Sequence, residues 1–198
     1  GPNSQLPMKK KPNYKGLSMP NEIKLGFDDD LTNTVQSLYF DIDLNKIVET
    51  TLSIMTQKLH HGIDFVYFPD AIQIWKIPKS FSNYVVNHAQ GRAVNLAARG
   101  KDYATNVLSY PSELPTEMTT LLGEIELGEL VLCHEVVLNE ADEQNKSFES
   151  HLTHLIIHGL LHLLGFDHEI SDADADQMER FEIEILAQLG IDNPYLEP

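Results

Sequence analysis

Cysteine is almost absent from this 198-residue chain: Cys133 stands alone, so an intrachain disulfide and a cysteine-based zinc cage are both excluded. Its setting, Leu130-Val131-Leu132-Cys133, reads as a small buried hydrophobe. No apolar run approaches the ~20 residues of a membrane-spanning helix. Met8-Lys9-Lys10-Lys11 resembles the start of a signal peptide, but no hydrophobic stretch follows it. The expectation is a soluble, cytoplasmic protein. Basic residues are scarce: 14 Lys and Arg stand against 30 Asp and Glu, a net charge of −16. Four of the 14 (Lys9, Lys10, Lys11, Lys15) precede residue 16, where no acid occurs, so the remainder is more acidic still. A protein that holds nucleic acid mainly by neutralising phosphates should be basic, and this composition speaks against a general nucleic-acid binder.

Residues 1–20 read as a disordered basic leader, with Gly1-Pro2 ahead of Met8 as a cloning scar. Residues 21–198 read as one domain, long enough to bury ~70% of its unfolded surface without disulfides. A strand is expected over 35–42. Asp43 then caps a helix marked by Leu44, Ile47, Val48, Leu52, Met55 and Leu59, which Gly62 stops. Ile63 to Phe68 and Ala71 to Ile77 read as strands, with Pro69 and Pro78 bracketing the second. A helix over 83–99 carries Val85, Val86, Ala89, Ala93, Val94 and Ala97 on one face and closes at Gly100. Strands follow over 105–110 and 124–137, the latter broken near Gly128. Two helices complete the chain: 147–164, ending at Gly165, and one after Ser171-Asp172, burying Met178, Phe181, Ile185 and Leu189 before Gly190. The order is roughly βαββαββαα, an α+β domain with a small mixed sheet packed with helices.

Five of the nine histidines fall between residues 151 and 168, and His158 to His168 reads HGLLHLLGFDH. His158 and His162 are four apart, on one face of a helix. Gly165 permits the left-handed turn that brings His168 back to them. Three neutral imidazoles at one point are the ligand set of a zinc site with an open fourth position, one ion per chain. His151 and His154 extend the stripe and suit supporting or packing roles. His60, His61, His88 and His134 carry no functional expectation. The spacing is similar to the zincin pattern H-E-x-x-H-x-x-G-x-x-H, but Gly159 stands where those proteases place their general-base Glu. The scaffold is thus expected to be zincin-like, with the metal on a helix in the C-terminal half, and its chemistry need not be proteolysis.

Upstream, Arg99-Gly100-Lys101-Asp102-Tyr103-Ala104-Thr105-Asn106-Val107-Leu108-Ser109-Tyr110-Pro111, then Leu122-Gly123-Glu124-Ile125, then the histidine cluster, follow one another. Over roughly residues 35–190 the chain resembles the YbeY family of bacterial endoribonucleases. The resemblance implies a single-metal, single-strand-specific endoribonuclease acting on ribosomal RNA, in 16S rRNA 3′-end maturation and ribosome quality control. Its implied partners are RNA, the ribosome and assembly factors, with neither DNA nor membrane. It makes His158, His162 and His168 the ligands and Arg99 the active-site arginine. By position alone Arg99 is an arginine near a helix C-terminus. The family usually has Lys-Pro where this chain has Tyr103-Ala104, Phe at Tyr110 and often Asp at Glu124, and the stretch from Pro69 to Ser82 matches none of its motifs. A bound zinc lowers the pKa of its water toward ~7 and polarises a phosphoryl oxygen. An arginine fork holds two phosphate oxygens. Lys76, Lys79, Arg92, Arg99 and Lys101 mark where an RNA groove is expected. Two other readings stay open: a peptidase or other metallohydrolase using a different base, and a ribosome assembly factor whose metal is structural.

Overall fold

The computed structural model describes residues 21–196. The basic leader expected over 1–20 lies outside the described residues. The elements run β1 (Glu22–Phe27), α1 (Asn33–Phe40), α2 (Leu44–His60), α3 (Ala71–Ile74), β2 (Lys79–Val86), α4 (His88–Arg99), β3 (Val107–Pro111), α5 (Thr116–Leu122), β4 (Ile125–Cys133), α6 (His134–Glu143), α7 (Phe148–Leu164) and α8 (Asp172–Gln188). The four strands form one mixed sheet in the order β1-β2-β4-β3. β1, β2 and β4 are parallel, and β3 runs antiparallel along β4 at an edge. Pro111 ends that edge strand, where a missing N–H costs no ladder bond.

Alternation along the strands assigns the two faces. Leu130 and Leu132 of β4, with Phe81 and Val85 of β2, enter the main core with α2, α7 and α8. Val131, Cys133, Tyr84 and Val86 face the other way, with Val94 of α4. Cys133 is buried, as its setting suggests. α7 is buried on nearly every side, with Leu152, Ile156, Ile157, Leu160, Leu161, Leu163 and Leu164 all inside. Truncating any of these leucines to Ala should cost about 2–5 kcal/mol. No helix among the described residues is long and apolar enough to cross a membrane.

The α+β class, the mixed sheet and helices α2, α7 and α8 agree with expectation. Several local expectations do not. Residues 35–40 are helical: the Thr32 side chain accepts from Val35 N–H to start α1, and Tyr39 packs against Phe27 and Phe148. Residues 63–68 form turns, because Phe65 and Phe68 fold inward onto Trp75 at ring distances of 5.0 and 5.6 Å. Ala71 to Ile74 makes a single helical turn. Val85 and Val86 belong to β2, and Asn87 caps α4 by accepting from Gln90 N–H. Near Gly128 the β4 ladder continues through a bulge in which Leu127 is the extra residue, and the chain turns into α6 at His134.

Candidate metal centre

Each part of the histidine cluster has a local cause. The Ser147 hydroxyl accepts from Ser150 N–H and starts α7, with Glu149 in the first turn where the helix dipole favours an acid. Gly165 (φ 109°) ends it, Phe166 N–H donating to the Leu161 carbonyl at 3.1 Å. A Cβ at Gly165 would lie 2.8 Å from Val66 Cβ, so the turn also seats against the 65–67 segment. Through this turn His168 comes back over α7. The rings of His158, His162 and His168 are mutual neighbours, with centroids 4.6, 5.0 and 5.2 Å apart. One nitrogen from each lies within 4.8 Å of the others.

Beneath the cluster is a carboxylate that periodicity did not single out. Glu182 of α8 is 1% exposed. Its Oε2 lies 2.8 Å from His158 Nδ1, and its Oε1 meets both His154 Nε2 and the Tyr195 hydroxyl. Burial pushes this carboxyl up, but the hydrogen bonds from His154 and His158 outweigh it and hold the pKa at about 2. An ionised carboxylate only accepts, so His158 Nδ1 carries a proton, the tautomer that in a neutral ring turns the Nε2 lone pair outward. That Nε2 lies 3.0 Å from His162 Nε2. Burial, then the neighbouring His158 and His168, depress the His162 pKa to about 4, so this imidazole is neutral at physiological pH. Two ring nitrogens at 3.0 Å need something between them, a proton on one or a cation shared by both. The donor set therefore fits zinc: three imidazoles whose nitrogens face one point, His162 held neutral by its surroundings, and room for a further ligand.

The cluster opens into a cleft of about 750 Å³ that Arg99, Asn106, Ser109, Lys146 and Tyr195 also line. Arg99 thus faces the same cavity as the three histidines. Of the five cations expected to form an RNA groove, it alone does so. Lys79 is buried against Trp75, donating to its carbonyl and lying over its ring, and burial brings its pKa down to about 8. Arg92 is held by a bidentate pair with Asp102. Lys76 and Lys101 do not line the cleft. Lys146, from the α6–α7 connection, supplies the second cation. Asp167 and Glu169 line the mouth beside His168, and Gly159 faces β4 rather than the cleft.

His151 Nε2 donates to Glu140, which also accepts from Asn106, and His154 Nε2 donates to Glu182. His134 is a core residue bonded to the Tyr39 hydroxyl at 2.8 Å. Glu182 did leave a trace in the sequence, since it occupies the i+4 place of the buried stripe Met178, Phe181, Glu182, Ile185, where an acid needs a partner.

The family model for Endoribonuclease YbeY matches residues 32–190. The chain belongs to the YbeY family. Endoribonuclease YbeY of Psychrobacter cryohalolentis is 50% identical over 151 residues, which cover 75% of this chain and 97% of that protein. The Psychrobacter arcticus protein of the same name is 53% identical over 136 residues, covering 68% and 66% of the two chains. That of Acinetobacter baylyi is 56% identical over 112 residues, covering 57% and 70%. Arg99, Glu182 and the three clustered histidines all fall inside the YbeY match, whereas β1 and Tyr195 lie outside it.

Proposed function

We propose that this protein is a zinc-dependent endoribonuclease that cuts single-stranded RNA in the bacterial cytoplasm, acting on ribosomal RNA during 16S 3′-end maturation and ribosome quality control. The observation that carries this reading is the meeting of three imidazoles, one of fixed tautomer, in a cleft that Arg99 also lines. His158, His162 and His168 would hold the ion. When bound, it supplies a Lewis acid for a phosphoryl oxygen and for the attacking water. Arg99 presents a fork that grips two phosphate oxygens and offsets charge as the transition state forms. Membership of the YbeY family and the naming of its relatives as endoribonucleases support RNA as the substrate. Gly159, turned toward β4, argues against the peptidase alternative, because no carboxylate stands at the protease position.

The test compares wild type with His158→Ala prepared in parallel, on labelled single-stranded RNA and on unfolded casein. Cleavage of RNA by wild type alone supports the reading. Equal RNA cleavage by both preparations, or chelator-sensitive casein cleavage by wild type, overturns it.

A further inference from the structure

We infer that Glu182 is a positioning residue for the metal centre, acting through His158. The inference rests on the metal reading above. A carboxylate in the interior is costly, and an apolar side chain beside Met178, Phe181 and Ile185 would pack there without that cost. Glu182 instead receives three donors, and the division of labour is specific. Oε1 takes His154 Nε2 and the Tyr195 hydroxyl, which satisfy it from both sides. Oε2 is left for His158 Nδ1 alone. This bond does two things at once: it places the proton on Nδ1 and fixes the ring about its Cβ–Cγ bond, so that Nε2 points at His162. It also ties α8 to α7 at the level of the site. Tyr195 extends the arrangement beyond α8, and Lys146 Nζ secures the same segment through the Pro194 carbonyl at 3.1 Å.

The decisive readout needs no metal. In metal-free protein with ¹⁵N-labelled histidine, long-range ¹H–¹⁵N correlation should give His158 as the Nδ1–H tautomer. In Glu182→Gln, whose amide can donate to Nδ1, the Nε2–H form should gain population. Zinc affinity, measured by competition with a chromophoric chelator, should fall about 10–100-fold in that variant. Tyr195→Phe, which leaves the His158 bond in place, should keep the Nδ1–H tautomer and lose far less affinity. A wild-type His158 found as Nε2–H overturns the inference without any variant, even if Glu182→Gln fails to fold. A Glu182→Gln protein that folds and matches wild type in tautomer and affinity also overturns it. Failure of wild type to bind zinc at all, with the tautomer as expected, would instead count against the metal reading.

Discussion

Gly159 and Leu130 are in such close register that a Cβ at position 159 would sit 2.6 Å from both δ-carbons of Leu130. This contact lets α7 lie directly on β4, and so sets where His158 and His162 stand relative to the sheet. It also explains why the carboxylate of a zinc protease has no place here: a glutamate at 159 would enter the core beside a fully buried leucine, without a partner. Gly159→Glu should therefore lower the melting temperature by several degrees and bring no peptidase activity. A variant as stable as wild type, or one that digests casein, would contradict this packing argument.

Arg99 lines the cleft at the C-terminal end of α4 and is exposed. Arg99→Ala should fold and bind zinc normally while losing most RNA cleavage. Arg99→Lys should recover only part of it, because an ammonium cannot make the two-point contact of a guanidinium. Single-turnover rates settle the matter: wild-type speed in Arg99→Ala would leave the arginine without a role in the reaction.

Binding of RNA should depend only weakly on salt. Among the described residues, Arg99 and Lys146 are the Lys and Arg side chains that line the cleft, and each phosphate contact to a single strand contributes a slope of about −0.7 in log K against log salt. Two contacts give a slope of about −1.4. Lys79→Ala and Arg92→Ala should leave it unchanged, since neither side chain lines the cleft. A much steeper slope would mean that basic residues outside the cleft, such as Lys9, Lys10, Lys11 and Lys15, take part.

Acid should weaken the metal-free fold. The folded His162 pKa, about 4, lies below the ordinary 6.5, so between these values the unfolded chain binds a proton that the folded one refuses. Its contribution to stability is present above 6.5 and fades as pH falls toward 4. Glu182, lowered from 4.5 to about 2, acts in the same direction further down the scale: its contribution is present above 4.5 and lost toward 2. Melting in the presence of chelator should show a fall in Tm across the first window that is smaller in His162→Gln. A flat profile would contradict the assignment.

Much of this architecture was legible in residue order, and the exceptions have physical causes. α2, α7 and α8 announce themselves through 3.6-residue periodicity and through Asp43, Ser147 and Ser171, each of which caps its helix with a side-chain hydrogen bond. The three histidines could be placed together because helical spacing and one glycine turn leave them little freedom. β2 is harder, because its second half, Asn83 to Val86, is buried on both faces and does not alternate, and its Val85 and Val86 run directly into α4. α1 carries a β-branched and aromatic run that favours extended backbone, and only the Thr32 cap and the burial of Tyr39 decide for helix. α6 lacks a side-chain cap altogether. The pairing of Glu182 with His158 joins residues 24 apart, which no local pattern could supply.

The central claim, that three histidines hold a zinc ion on which RNA cleavage depends, is tested most directly by titrating zinc into chelator-stripped protein while following single-turnover cleavage of labelled RNA. The rate should rise from near zero and break at one equivalent per chain for wild type, and stay flat for His162→Ala. Stripped protein that cleaves as fast as the zinc-loaded form, or His162→Ala that titrates like wild type, would contradict it.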